Sequence, residues 1–121
     1  MKNIIQILIF TFCISAGAQN LVPNPSFEEH TSCPISFDEI YLANNWEAVW
    51  GGIDYHNVCG ASWCCSVPVN YYGYQQANTG DAYIGFGYWA QIYNNAREFV
   101  GVELLSALVP NKPYRISSEN V

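Results

Sequence analysis

The stretch from Val67 to Trp89, VPVNYYGYQQANTGDAYIGFGYW, carries the clearest β-strand pattern of the chain. Side chains alternate between the two faces of an extended strand. Between Asp81 and Trp89 both alternating sets are largely apolar, which is typical of a strand covered on both sides. Gly85 and Gly87 share one face, so a neighbouring backbone or a large ring must approach closely there. We predict a central strand over Asp81–Trp89, entered through a turn at residues 78–81.

Other segments predict a fold built from short strands and turns. Alternating apolar residues in WEAVW (46–50) and REFVGVELL (97–105) each predict a strand, and residues 114–117 predict the start of another. Residues 38–43 predict one helical turn, and the turn-rich segment 51–66 predicts a surface loop. This pattern indicates an all-β chain folded as an antiparallel β-sandwich.

Both ends of the sequence carry expectations about the domain. Lys2, the apolar run 4–14 and the Ala16-Gly17-Ala18 site are typical of a secretory signal peptide over residues 1–18, too short to span a bilayer. The alternative is a buried N-terminal strand. Residues 19–121 are then one exported domain. Because the last strand has barely begun, we expect an incomplete sandwich, the N-terminal part of a longer protein.

The charge of the chain argues against several classes of partner. The formal net charge is −6, and the basic residues after residue 18 are Arg97, Lys112 and Arg115 against ten acidic residues. Such a surface cannot neutralise a row of phosphates, so nucleic acid is excluded as a partner. An anionic membrane surface is excluded for the same reason. No segment after the signal peptide is long and apolar enough for membrane insertion.

Four cysteines follow the signal peptide, and an even number in a small exported chain indicates disulfides. Three pairings are possible. We predict that Cys33 pairs with Cys59, which leaves the neighbours Cys64 and Cys65 as a pair or as thiols. The alternative is a zinc site formed by His56 with Cys59, Cys64 and Cys65, although their spacing matches no familiar zinc pattern.

The sequence offers little for catalysis and much for binding. It contains no G-x-S-x-G turn, phosphate loop or metalloprotease helix, so we expect no enzyme. Tyr and Trp are large, rigid and carry a polar edge, and the apolar face of a sugar ring stacks on them. Seven lie in or beside the predicted loops: Trp46, Trp50, Tyr55, Trp63, Tyr71, Tyr72 and Tyr74. We take Trp46, Trp50, Tyr55 and Tyr72 as ligand-binding candidates, and the alternative is that they fill the core.

Several motifs together resemble a known group of domains. NLVPNPSFEE directly follows the signal peptide, and DYHNVCG, GYQQANTGDAYIGF and LVPNKPYRIS come later. The chain resembles the N-terminal domains of secreted and outer-membrane-associated proteins of Bacteroidetes-type bacteria. The resemblance implies a galactose-binding-like jelly roll, related to carbohydrate-binding modules, at the cell surface or secreted. It implies a carbohydrate or cell-surface partner. The alternatives are a structural domain of an envelope or adhesion protein and an accessory domain of an exported hydrolase.

The same resemblance implies a structural calcium ion. In the carbohydrate-binding relatives, the glutamate of an N-x-x-x-N-x-x-F-E opening helps to hold calcium, and Asn20, Asn24, Phe27 and Glu28 stand in that arrangement here. Calcium prefers several hard oxygen ligands, and Asp81 is a candidate for the second carboxylate. The alternative is that Glu28 and Asp81 are solvated loop carboxylates.

Overall fold

The structure is a computed structural model, and it describes residues 19–87 and 96–118. Within these ranges the regular elements are one 3-10 turn at Ile40–Leu42 and six short strands. The strands are β1 (Trp46–Trp50), β2 (Asp54–Asn57), β3 (Val69–Asn70), β4 (Gly73–Tyr74), β5 (Ala82–Gly85) and β6 (Phe99–Val102). The all-β prediction is therefore confirmed for the described part of the chain. No helix in that part has the length and apolar character needed to cross a membrane.

The strands pair antiparallel in a nested order. The outermost pair is β1 with β6, in which Trp46 lies opposite Val102. Inside it β2 pairs with β5, in which Tyr55 lies opposite Ile84. The innermost pair is the hairpin of β3 and β4. Each two-stranded ribbon therefore encloses the next one along the chain.

The core lies beneath the β2–β5 ribbon. Its buried residues are Ile40, Ala43, Ile53, Tyr55 and Ala82, with Phe27, Leu42, Trp46, Ile84 and Val100 packed against them. Phe27 and Trp46 make the main aromatic contact, with ring centroids 4.7 Å apart. Phe27 thus anchors the opening segment against the core, while the next residue, Glu28, is exposed.

Asn24 fixes the proline-rich opening to the loop before β1. Its side-chain amide donates to Glu29 O at 2.8 Å and to Asn44 O at 3.0 Å, and its Oδ1 accepts from Glu29 N at 3.0 Å. The Trp46 indole N–H donates to Asn24 O at 2.9 Å. One buried side chain therefore satisfies backbone groups of two segments that are otherwise joined by the Asn44 N–Glu29 O hydrogen bond and a single antiparallel bridge between His30 and Ala43.

Three predictions about elements need correction. The segment 51–66 is not only a loop, because it contains β2, whose four residues are all buried. Residues 114–117 form no strand and are exposed. The central strand is shorter than predicted, since β5 ends at Gly85 and Phe86 is already exposed. Tyr88 and Trp89, like the predicted signal peptide 1–18, lie outside the described residues.

Candidate ligand-binding surface

Four aromatic side chains meet on the surface and are called the aromatic cluster: Phe37, Trp63, Tyr71 and Tyr72. The Phe37 ring centroid lies 5.6 Å from Trp63, 5.3 Å from Tyr71 and 6.2 Å from Tyr72, each in an edge-to-face arrangement. Tyr71 and Tyr72 are themselves 5.3 Å apart and nearly perpendicular. Trp63, Tyr71 and Tyr72 are 59%, 69% and 67% exposed. A group of large rings left open to solvent in this way is typical of an interaction site.

The β3–β4 hairpin explains why two of these rings are exposed. Tyr71 and Tyr72 are the two residues of its turn, between Asn70 and Gly73. Asn70 Oδ1 accepts from Tyr72 N at 2.9 Å, and Gly73 adopts a φ of 130°, which glycine tolerates better than other residues. The Tyr71 N–H donates to Cys64 O at 3.2 Å, which joins the turn to the cysteine-rich segment.

Two disulfides hold the segments that carry the cluster. Cys33 and Cys59 are bonded, with Cα atoms 5.4 Å apart, as predicted. Cys64 and Cys65, which the sequence left open, are bonded to each other and are buried. Trp63 immediately precedes this pair. The covalent links therefore restrict the backbone on which the exposed rings sit.

Asp54 on β2 connects the cluster to the interior. The Tyr72 hydroxyl donates to Asp54 Oδ2 at 2.6 Å, and Asp38 N donates to Asp54 Oδ1 at 2.8 Å. Asp54 is only 7% exposed. Partial burial of the phenol raises the pKa of Tyr72, and the hydrogen bond and negative charge of Asp54 raise it further. Tyr72 therefore stays protonated and remains a donor to Asp54.

His56 lies behind the cluster and is 1% exposed. Its ring stacks on Tyr83 at 4.8 Å and stands 6.1 Å from the Tyr72 ring. Its Nδ1 has no hydrogen-bond partner among the described residues. Burial lowers the pKa of His56, and nearby Asp54 only partly opposes that effect. The imidazole is therefore neutral near pH 7 and serves as a packing surface for the tyrosines.

Two further acidic side chains pack against the Gly51-Gly52 turn that links β1 to β2, Asp38 through its carboxylate and Glu98 through its Cγ, while the Glu98 carboxylate accepts from Gly87 N. A Cβ atom on Gly52 would come within 1.9 Å of Asp38 Oδ1, and one on Gly51 within 2.5 Å of Glu98 Cγ. Only glycine leaves room for both side chains at this point. We call Asp38, Asp54 and Glu98 the acidic group. It adjoins the aromatic cluster because Asp38 follows Phe37 and Asp54 binds Tyr72.

The structure separates the four predicted ligand-binding residues. Tyr72 belongs to the aromatic cluster. Tyr55 is fully buried in the core and donates its hydroxyl to Phe27 O at 2.8 Å, so its prediction as a ligand contact is corrected. Trp46 is partly buried and lines a shallow depression with Asn45, Glu47 and Glu103. Trp50 is exposed at the end of β1, and its ring makes no contact with the cluster within the described residues.

Phe37 is the member of the cluster that the sequence analysis missed. Trp63 and Tyr71 are among the seven aromatic residues of the predicted loops, but the sequence does not indicate that their rings contact Phe37. The Cys33–Cys59 disulfide brings the segments of Phe37 and Trp63 together across a sequence separation of 26, and the Tyr71–Cys64 hydrogen bond adds the nearby hairpin turn. A weak signal was the Asn70-Tyr71-Tyr72-Gly73 sequence, because asparagine and glycine flanking two residues indicate a tight turn.

Glu28 and Asp81 do come together, through the backbone. Glu28 Oε1 accepts from Asp81 N at 3.0 Å and from Ala82 N at 3.2 Å. Gly80, at φ 67°, leaves the space that this carboxylate occupies. Glu28 therefore ties the opening segment to the start of β5 without needing a metal.

The surroundings of Glu28 fit a calcium ion only in part. The carbonyls that such an ion needs already accept hydrogen bonds: Phe27 O from the Tyr55 hydroxyl, Glu28 O from the His30 ring, and Glu29 O from Asn44 N. The second Glu28 oxygen and the exposed Asp81 carboxylate remain as candidate ligands. The calcium ion stays a prediction.

Both disulfides include cysteines of the alternative zinc site. Three of its four ligands, Cys59, Cys64 and Cys65, are bonded in disulfides. His30 also lies near Cys33 and Cys59, with the three ligand atoms within 4.8 Å of one another. Zinc is held by thiolates, so neither group is a zinc site while these bonds are intact.

Comparisons with known proteins add no identification: no family model matches the chain, and neither do the curated proteins or the solved structures searched.

Proposed function

We propose that residues 19–121 form an exported, non-enzymatic binding module that binds glycan through the aromatic cluster. The observation that carries this proposal is the exposure of Trp63, Tyr71 and Tyr72 around the partly buried Phe37. Large aromatic side chains in a small all-β domain normally fill the core. Tyr55, Phe27 and Trp46 follow this rule, whereas Trp63, Tyr71 and Tyr72 are turned to solvent.

The fixed positions of the rings support a binding role. Tyr71 sits in a two-residue turn whose N–H is bonded to Cys64 O, and Tyr72 is bonded to Asp54. Rings that are already ordered lose little conformational entropy when a ligand stacks on them. The apolar faces of sugar rings and the hydroxyl groups around them suit an aromatic surface with polar edges.

The remaining parts of the proposal rest on topology and chemistry. We propose that the nested pairs β1–β6, β2–β5 and β3–β4 belong to a jelly-roll sandwich of the galactose-binding-like kind, because nested antiparallel pairing is how such a fold is wound. Two disulfides in a short chain fit an oxidising compartment, which supports export to the cell surface or the medium.

A second candidate is a structural N-terminal domain of an envelope or adhesion protein that binds no small ligand. The β1–β6 ribbon favours it, because Val49, Trp50 and Phe99 are exposed there. Apolar side chains on such a ribbon suit a contact with a neighbouring domain. This candidate predicts no glycan binding and assigns the interaction to β1 and β6 instead of the aromatic cluster.

A glycan array separates the two candidates. We expect the exported chain to bind a defined set of glycans and Tyr71→Ala to abolish that binding. The matched control is Tyr41→Ala, since Tyr41 is 64% exposed but makes no ring contact with the cluster within the described residues. Equal signals from the two variants contradict the assignment of glycan binding to the aromatic cluster. A Trp50→Ala variant that loses binding while Tyr71→Ala keeps it contradicts that assignment as well.

A further inference from the structure

The acidic group beside the aromatic cluster carries negative charge that no basic side chain of the described residues contacts by a hydrogen bond. The donors it receives are neutral: the Tyr72 hydroxyl and Asp38 N on Asp54, and Gly87 N on Glu98. Asp54 is buried, where an ionised carboxylate without a cationic partner is unfavourable. Three carboxylates from distant parts of the chain therefore lie near enough to Tyr72 to raise the pKa of its hydroxyl, and none of them is hydrogen-bonded to a basic side chain of the described residues.

The glycines show that this convergence is built into the backbone. Asp38 and Glu98 are 60 residues apart in sequence, yet they pack against the adjacent Gly52 and Gly51. Any side chain at either glycine would displace one of them. Asp38 itself adopts a positive φ of 62°, a conformation that few residues other than glycine, asparagine and aspartate adopt readily. The backbone at Gly51, Gly52 and Asp38 therefore has the conformation and the free space that the Asp38 and Glu98 side chains need.

The aromatic cluster lies against the same carboxylates. Tyr72 connects the aromatic cluster to the acidic group through its hydrogen bond to Asp54. Phe37 connects them because it directly precedes Asp38 in the sequence. Aromatic faces attract cations through the quadrupole of the ring, and nearby carboxylates strengthen that attraction. Both kinds of side chain therefore favour a positively charged ligand.

We propose that the glycan bound by the aromatic cluster carries a protonated amine, as in an oligosaccharide of hexosamine units with free amino groups. This inference rests on the proposed function and names its substrate class. The sugar ring stacks on Tyr71 and Trp63, and the ammonium group faces the acidic group across Tyr72 and Phe37. Uronic-acid and sulfated glycans are excluded by repulsion from the same carboxylates.

The test compares two ligands that differ only in that charge. Calorimetry at about pH 5.5 measures binding of a β-1,4-linked glucosamine hexamer and of the N-acetylglucosamine hexamer to the full exported chain. At this pH the sugar amine and most carboxylates are both charged. We expect the glucosamine hexamer to bind at least about tenfold more tightly, because acetylation removes the positive charge. At about pH 8.5 the sugar amine is mostly uncharged, so most of the difference in affinity should disappear. The affinity for the N-acetylglucosamine hexamer should not change.

Variants locate the effect. Asp38→Asn keeps the shape of the side chain and tolerates its positive φ, and it should reduce glucosamine binding at least about fivefold and N-acetylglucosamine binding by clearly less. Glu103→Gln is the matched control, since Glu103 is exposed beside β6 in the separate depression with Trp46. Its affinity for both hexamers should equal that of the wild type.

Each other outcome overturns the inference in a distinguishable way. Equal affinity for the two hexamers refutes the amine preference and leaves glycan binding in place. Binding of a lysine hexapeptide as tight as that of the glucosamine hexamer shows that charge alone is recognised, which refutes a sugar ligand. Failure of every glycan, on the array and in calorimetry, refutes the proposed function together with the inference.

Discussion

The Tyr72 hydroxyl lies 2.6 Å from Asp54 Oδ2, so a ring in an exposed hairpin turn is fastened to a buried strand. The bond links the innermost ribbon, β3–β4, to the second ribbon, β2–β5. It also gives the buried Asp54 carboxylate a donor that stays protonated, because partial burial and Asp54 itself raise the pKa of Tyr72. The same contact thus orders the aromatic cluster and satisfies a charge in the interior.

Replacing Tyr72 with phenylalanine removes this donor and keeps the ring. We expect the free energy of unfolding to fall by about 1.5 kcal/mol, the usual size of a hydrogen bond to a charged group. Denaturant unfolding of the purified chain measures it. Tyr71→Phe is the control, because the Tyr71 hydroxyl makes no hydrogen bond within the described residues, and it should unfold like the wild type. An equal loss in both variants contradicts the role of the Tyr72–Asp54 bond.

His56 should make the folded state less stable as the pH falls below about 6.5. Burial lowers the pKa of His56 in the folded state, whereas the imidazole of the unfolded chain takes up a proton near its ordinary value of 6.5. The unfolded state therefore binds more protons below that pH, and the contribution of His56 is complete only above it. The slope is at most about 1.4 kcal/mol per pH unit.

NMR of the imidazole protons and unfolding of a His56→Gln variant together check the His56 prediction. The His56 signals should not shift between about pH 7.5 and pH 6.5, and unfolding of His56→Gln should show a smaller slope below pH 6.5 than the wild type. Carboxylates also protonate at low pH in both proteins. The contribution of His56 is therefore the difference between the pH slopes of the wild type and of His56→Gln. A His56 that titrates at or above pH 6.5 refutes the prediction.

The Cys33–Cys59 bond should provide much of the stability. It joins residues 26 apart, and the chain-entropy argument assigns such a loop about 3.5 kcal/mol. We expect the double variant Cys33→Ala with Cys59→Ala to lose roughly that amount in denaturant unfolding. The double variant Cys64→Ala with Cys65→Ala opens almost no loop and should lose less through this mechanism. A larger loss from the second pair contradicts the entropic argument.

Glu28→Ala should destabilise the junction between the opening segment and β5. It removes the acceptor for Asp81 N and Ala82 N, at a cost of about 1–2 kcal/mol, whereas Glu28→Gln keeps an acceptor oxygen and should lose less. If hydrogen bonds alone connect Glu28 to the start of β5, the thermal midpoint of the wild type is the same in calcium and in chelator. A rise of the wild-type midpoint in calcium that Glu28→Gln abolishes would establish the predicted calcium ion instead.

Alternation of apolar residues predicted the two strands of the outer ribbon. WEAVW became β1, and the apolar alternation around Val100 and Val102 became β6. Both lie in the outer ribbon, whose residues are exposed or half-buried, and apolar residues alternate in both sequences. The helical turn at 38–43 was also found, as the 3-10 turn Ile40–Leu42.

The strand β2 could not be predicted in this way. Its sequence DYHN is polar apart from Tyr55, and all four residues are buried. Two of them bond to partners far along the chain: Asp54 accepts from the Tyr72 hydroxyl, and the Tyr55 hydroxyl donates to Phe27 O. Local patterns contain no information about such partners, and a buried polar strand therefore resembles a loop.

The same limit applies to the surface. Tyr55 and Tyr72 are both tyrosines beside polar residues, yet one is buried in the core and the other is in a hairpin turn. Their positions follow from the pairing of β2 with β5 and of β3 with β4, which composition does not specify. The meeting of Phe37 with Trp63 depends on long-range contacts in the same way.

Glycan binding by the aromatic cluster is tested most directly by calorimetry on one bound glycan with three single variants. We expect Trp63→Ala and Tyr71→Ala each to weaken binding at least about fivefold, the effect of removing an important aromatic contact, and Tyr41→Ala to bind like the wild type. All three should unfold at similar denaturant concentrations, since these rings are exposed. Unchanged affinity in Trp63→Ala and Tyr71→Ala would contradict the account.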